Sequence, residues 1–256
     1  MVELKNVSYA YNEKPVLVDI SCSISKGERI VLLGVNGCGK STLLKITGGL
    51  IFPDKGTYTF KDRLIDRSFF KNEEYRRSFR RSVGVLFQSP DVMLFNPTVY
   101  DEIAFSLRQI SENELLIKEK VEHWMDLLNI KKYERSFPLE LSGGEKQKVA
   151  LASILVIEPE LLLLDEPMAN LDPRSQGEII DLLYDLNITT IISTHNLSLA
   201  PELGERTILL SEDHRILFDG GINELLNNEE ILINANLVHR HRHRHKETYH
   251  SHYHKH

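Results

Sequence analysis

RIVLLGVNGCGKSTLLKITGGL, residues 29–50, starts with a short apolar run and ends on paired glycines. Residues 30–33 read as a buried strand, and residues 40–50 as a helix closed by Gly48 and Gly49. Between them GVNGCGKS, residues 34–41, fits the spacing G-x-x-x-x-G-K-[ST]. Each residue type has a task there. Gly34, Gly37 and Gly39 let backbone N–H groups, those of Asn36 and Cys38 included, converge on phosphate oxygens. The helix that follows, opening through Thr42, adds the positive end of its dipole. Lys40 supplies charge for β and γ phosphates, and Ser41 offers a hydroxyl to Mg²⁺. Cys38 has two readings: a thiol activated by Lys40, or a small residue tolerated between glycines, which is the simpler.

Outward from this loop, strands and helices alternate. Residues 2–24 alternate apolar and polar residues with a break at NEKP, as a β-hairpin does. TYTF and VGVLF read as strands on either side of the charged helical stretch KNEEYRRSFRR. Residues 98–132 hold no Gly or Pro and predict a helical subdomain, which a helix near 145–157 extends to about 98–157. LLLLD, TTIIS, TILLS and RILFD are further strands, with a helix near 175–186. The pattern predicts an α/β fold: a mostly parallel sheet, an antiparallel N-terminal β subdomain and an all-helical insertion.

Bulk properties narrow the function. With 256 residues, 41% apolar and 27% charged, the chain has the composition of a soluble domain. Its net charge of −6 is uneven, because residues 239–256 carry Arg240, Arg242, Arg244, Lys246 and Lys255 against Glu247 alone. The remaining acidic body is a poor partner for nucleic acid. Two cysteines imply no disulfide framework and a reducing compartment. The start, MVELKNVSYAY, lacks the apolar core of a signal peptide, and no apolar run approaches the ~18 residues of a membrane span. The expectation is a cytoplasmic chain that reaches a membrane only through partners.

LLLLDEP, residues 161–167, is a buried strand ending in carboxylates. Asp165 is suited to Mg²⁺, and Glu166, just past the strand end, to polarising an attacking water. LSGGEKQ, residues 141–147, has Ser142 three residues before Glu145, a capping box that marks a helix start. Gly143 and Gly144 leave that helix's first N–H groups open to an anion, a second phosphate-like site in one chain. A two-fold dimer accounts for both: each helix start faces the γ-phosphate held by the other chain's loop. An ordinary capped helix without ligand is the alternative.

These motifs together resemble the ATP-binding subunit of ABC transporters over residues 2–226, with LSGGE similar to the family signature and LLLLDEP to its Walker B strand. The resemblance implies a phosphate-loop NTPase of ABC type on residues 1–238, with ATP and Mg²⁺ as cofactors. It implies further roles by position. Gln88 in VLFQSP resembles the glutamine that contacts Mg²⁺ with Ser41 and Asp165, and Asp172 in ANLD the dimer-contacting loop. His195 in ISTH resembles the switch histidine at the γ-phosphate, and Tyr11 the aromatic that stacks on adenine, with Tyr9 two residues away as its rival. Two departures stand out: Glu145 replaces the commoner glutamine, and Met168 a small polar residue. A Glu145 side chain turned back onto the cap makes the first harmless.

FQSPDVMLFNPTVYDEIAF, residues 87–105, and THNLSLAPELGERTILL, residues 194–210, resemble the energy-coupling-factor importers and their cobalt and nickel group. That group implies a homodimer or heterodimer of ATPase subunits on the cytoplasmic membrane face. It also implies an integral membrane coupling protein and a substrate-binding membrane protein, and serves vitamins as well as metals. Phe95, Pro97, Val99 and Phe105 are candidates for the coupling-protein groove, or packing of the helical subdomain. The tail adds His239, His241, His243, His245, His250, His252, His254 and His256, imidazoles that suit nickel or cobalt. Its positive charge opposes cation binding and favours the rival reading, a tether to anionic lipid. An inert or artificial tail is the remaining option.

Overall fold

The computed structural model describes residues 1–110, 113–169, 171–245 and 248–255, with residues 239 onward described as backbone alone. Two compact units divide the chain: residues 1–66 with 191–256, and residues 67–190.

In the first unit β1 (Val2–Tyr11) and β2 (Lys14–Ile24) pair antiparallel. The turn at NEKP is a two-residue one in which Asn12 and Glu13 both have positive φ, 47° and 65°. Left-handed residues at both positions match the twist of the flanking strands. β4 (Lys55–Phe60) and β5 (Arg63–Leu64) extend this sheet in the order β2-β1-β4-β5. β3 (Arg29–Leu33) pairs parallel with β9 (Arg206–Leu210), which pairs antiparallel with β10 (Ile216–Gly221). Ile30, Val31, Leu32 and Leu33 are wholly buried, each contributing about 1.5–3 kcal/mol of transfer free energy. α1 (Lys40–Thr47) follows β3, and β8 (Thr189–Thr194), buried throughout, carries the chain back from the second unit. Short helices α7 (Ala200–Leu203), α8 (Ile222–Leu226) and α9 (Glu229–Asn234) lead to a backbone hairpin of β11 (Val238–His245) and β12 (Thr248–Lys255).

The second unit contains α2 (Glu73–Ser82), β6 (Val83–Leu86), α3 (Val99–Gln109), α4 (Glu114–Leu127), α5 (Gly143–Leu155), β7 (Leu161–Asp165) and α6 (Pro173–Asp185). β6 and β7 are parallel neighbours, so both units have the α/β character the sequence predicts. The stretch expected to be helical from residue 98 resolves into two helices with separate caps. Thr98 Oγ1 accepts from Asp101 N–H at 3.0 Å, and Asn113 Oδ1 from Leu115 N–H at 2.8 Å. α5 packs against both helices through side chains such as Ile103, Leu107, Val121 and Val149, all fully buried.

Candidate nucleotide-binding site

The loop after β3 has Gly34, Gly37 and Gly39 at φ 145°, 85° and 115°. Gly34 and Gly39 also lack room for a side chain. A Cβ on Gly34 would lie 2.6 Å from Cys38 Sγ and 2.7 Å from the Leu210 carbonyl oxygen; one on Gly39 would lie 2.4 Å from that of Val16. Gly34→Ala is therefore expected to cost about 1–3 kcal/mol, read as a lower thermal midpoint and a weaker shift on adding ATP. The Lys40 side chain is buried and folds back over the loop, its ammonium donating to the carbonyls of Gly34 (2.7 Å) and Val35 (3.2 Å). This is the cradle a phosphate chain fits: glycines without Cβ, a buried cation and a helix start.

Cys38 is buried against Gly34, the place of a small packing residue. Its carbonyl oxygen lies 3.2 Å from Nδ1 of His214, in the turn between β9 and β10. The His214 carbonyl in turn accepts from Val18 N–H at 2.9 Å. Sequence reasoning missed this support, since nothing local to residue 214 points to the loop. Asn36 is exposed at the loop tip, Ser41 half-buried and Thr42 buried on the first turn of α1. Tyr11, the last residue of β1, is exposed and meets Tyr9 edge to face, centroids 4.9 Å apart. His195 is exposed directly beyond β8, where the Asn196 N–H donates to Thr194 Oγ1 at 3.1 Å.

In the second unit Asp165 ends β7 and Glu166 follows it, both buried. Glu166 has φ 48°, a conformation that costs a non-glycine residue free energy and persists only where surroundings impose it. They do so here. The Ala169 N–H donates to the Glu166 carbonyl at 3.0 Å, and Gln147 Nε2 on α5 to the Pro167 carbonyl at 2.9 Å. Gln88 is exposed two residues beyond β6.

The signature stretch lines a pocket of about 770 Å³ in which Ser142, Gly143 and Gly144 meet Asp172 and Ser175. Gly144 is pressed on α6: its Cβ would lie 3.1 Å from Ser175 Oγ, while a Cβ on Gly143 would meet nothing within 4 Å. Asp172 caps α6, accepting from the N–H groups of Arg174 (3.0 Å) and Ser175 (3.1 Å) and from Ser175 Oγ (2.6 Å). The Ser175 hydroxyl is the main reason its carboxyl sits below the usual range. Glu145 is turned back: its Oε2 accepts from Ser142 N–H and Oγ, and its Oε1 from the Tyr133 hydroxyl.

Of the residues singled out by sequence, Tyr11, the 34–42 loop and His195 belong to the first unit; Gln88, the signature residues, Asp165, Glu166 and Asp172 belong to the second. Ser142, Gly143, Gly144 and Asp172 share one pocket. The tail histidines fall outside this account: His256 and the side chains of His239, His241, His243, His245, His250, His252 and His254 lie outside the described residues. Among the described residues no group of three or more His, Cys, Asp or Glu is arranged to hold a metal, and no helix is long and apolar enough to cross a membrane.

The groove candidates separate into packing and surface residues. Val99 is fully buried in the helical core and cannot line a groove, because its place at the first turn of α3 faces inward. Phe95 and Phe105 are exposed and meet edge to face at 5.0 Å. The loop carrying Phe95 is held by Glu102, a buried carboxylate not anticipated from sequence, whose Oε2 accepts from the N–H groups of Phe95 (2.8 Å) and Asn96 (2.7 Å). Glu102→Ala strands both donors and is expected to destabilise the protein by about 2 kcal/mol in chemical unfolding.

A phosphate cradle between strand and helix, and a parallel strand that ends in one buried carboxylate and is followed by a second, define a nucleotide triphosphatase of the phosphate-loop class. The chain belongs to the ABC transporter family, whose domain matches residues 17–169, and it is an ATP-binding ATPase of that family. It is similar to an energy-coupling factor transporter ATP-binding protein of Methanospirillum hungatei, 40% identical over 241 residues, 93% of this chain and 59% of that one. It is also similar to a nickel import ATP-binding protein of Lactiplantibacillus plantarum, 36% identical over 219 residues, 84% of this chain and 91% of that one. Among solved structures, cbiO1 of Clostridium perfringens, part of the ABC transporter complex cbiONQ, superposes with a TM-score of 0.78 at 32% identity, covering 92% and 94% of the two chains. A dimeric ATP-binding cassette in a post-hydrolysis state with ADP and phosphate gives 0.78 at 26% identity, covering 87% and 99%.

Proposed function

We propose that this ATPase powers an energy-coupling-factor type importer for nickel or cobalt ions, working as a pair of copies that hold two ATP molecules between them. The observation that carries the pairing is the occurrence in one chain of two glycine-bearing helix starts, which we read as two anion cradles. One is the 34–41 loop with Lys40, the other the pocket at Ser142, Gly143 and Gly144. Each ATP lies in one copy's loop with its γ-phosphate toward the other's signature helix. Tyr11 stacks on adenine, Asp172 lies at the contact between copies, and His195 touches the γ-phosphate. Glu166 draws the proton from the attacking water. Ser41, Gln88 and Asp165 offer the oxygen ligands Mg²⁺ prefers, and Mg²⁺ when bound would neutralise charge on the phosphates.

The ATPase domain spans residues 1–238, with the helical subdomain at about 98–157. Hydrolysis reopens the pair, and a membrane coupling protein, docking beside Phe95 and Phe105 at the cytoplasmic face, converts this movement into transport with a substrate-binding membrane protein. Pairing with a related ATPase chain is the second reading of the dimer. The name of the nickel import relative and the histidines of the tail support the metal cargo; the 87–105 stretch fits the importer type, and a vitamin is the alternative. The tail from His239 to His256 acts as a cytoplasmic trap for the same metals.

Nickel and cobalt uptake by cells with the gene intact, deleted, or ending at residue 238 tests this reading. Loss of uptake of either metal on deletion, with a partial defect without the tail, is expected. Unchanged uptake of both on deletion points to a vitamin. Equilibrium dialysis against nickel should show the full chain binding metal that the 1–238 chain does not.

A further inference from the structure

Glu145 brings a negative charge to the start of α5, beside the two glycines assigned above to a γ-phosphate. Unrestrained, that carboxylate opposes the arriving phosphate. Oε2 accepts from the Ser142 N–H at 2.9 Å and from Ser142 Oγ at 2.7 Å, while Oε1 accepts from the Tyr133 hydroxyl. Both oxygens are thus engaged, and Glu145 and Tyr133 line the same pocket as Ser142, Gly143 and Gly144. The Tyr133 hydroxyl, then Ser142, holds the Glu145 carboxyl below the usual range, so the group stays ionised and what matters is where its charge lies.

Tyr133 is itself well anchored. It ends a single 3₁₀ turn, Lys131–Tyr133; its N–H donates to the Ile130 carbonyl at 2.9 Å, and its carbonyl accepts from Ser136 N–H at 2.8 Å. The Lys132 ammonium lies 4.7 Å from its ring centroid. The Ser142 hydroxyl is a weaker restraint, since a phosphate entering the same pocket competes for it. Tyr133 is then the side-chain partner that ties Glu145 to a segment outside α5 and its cap, beside the Ser142 N–H within the cap.

We propose that Tyr133 is a positioning residue whose hydroxyl pins the Glu145 carboxylate to the helix cap, so that it does not swing toward an ATP γ-phosphate arriving at Gly143 and Gly144. The inference rests on the reading that this pocket receives ATP from a second copy.

The test is a double-mutant cycle in the turnover-blocked Glu166→Gln protein, reading by sedimentation the ATP concentration at half-maximal dimerisation. Tyr133→Phe should raise that concentration about tenfold, from freeing one charge near the phosphate. Glu145→Gln alone should move it less than about twofold, because the charge is already held by its hydrogen bonds, and should cancel the Tyr133→Phe defect when combined with it. ADP binding to each variant verifies that it is folded. A Tyr133→Phe midpoint within twofold of the parent, or a defect that survives Glu145→Gln, overturns the proposal. So does a tenfold tightening by Glu145→Gln alone, which decides the matter even if Tyr133→Phe does not fold. A parent that binds ATP yet never dimerises sinks the pairing reading itself, and this inference with it.

Discussion

Glu166→Gln is expected to lower ATP turnover by about a thousandfold or more while leaving ATP binding intact, the scale of losing a positioned general base. The geometry explains why binding survives. Glu166 is buried at φ 48° in a turn held by the Ala169 N–H and by Gln147 Nε2, and neither bond involves its carboxylate. Glutamine keeps the shape of the side chain and loses the capacity to take a proton from water. Phosphate release under saturating ATP, with retained nucleotide counted in the same sample, reads both quantities. Turnover within a few fold of the parent would remove Glu166 from the reaction and leave the catalytic reading without a base.

Lys40→Ala acts one step earlier, at binding. The ammonium is buried and bonded to two loop carbonyls, so in this structure it already sits inside the cradle its charge is meant to serve. Removing a charged hydrogen-bond donor of this kind costs about 2–3 kcal/mol, or roughly a hundredfold in ATP affinity. The loss should be larger for ATP than for adenosine, which has no phosphate to recognise. Calorimetric titration with both ligands separates these cases: equal losses would mean that the loop had collapsed.

The sequence made the strands legible because their signal is local. Ile30, Val31, Leu32, Leu33 and the run before Asp165 are apolar at successive positions, which only burial on both faces explains. The phosphate loop and the helix start at Ser142 were equally legible, since their chemistry is written within eight and five residues. Glu145 turning back onto its cap was conditional in the sequence; its second partner, Tyr133, lies twelve residues away, beyond any capping rule. Glu102 was not legible because a helix-face carboxylate looks solvated until the Phe95 loop folds onto it. Nor was His214, whose contact with Cys38 spans 176 residues of chain. Val99 stayed open between groove and packing because an apolar residue at a helix start has the same sequence pattern facing in or out; its burial decides for packing.

Sedimentation of Glu166→Gln with and without Gly143→Asp decides whether two copies share each ATP. A Cβ at Gly143 would meet no atom within 4 Å, which leaves space to start an aspartate side chain that places charge in the pocket at the signature helix. Glu166→Gln is expected to dimerise with ATP and not with ADP. The double variant should bind ATP in its own phosphate loop and remain a monomer. Dimerisation of the double variant at the same ATP concentration would contradict a site shared between the loop of one copy and the Ser142 helix start of the other.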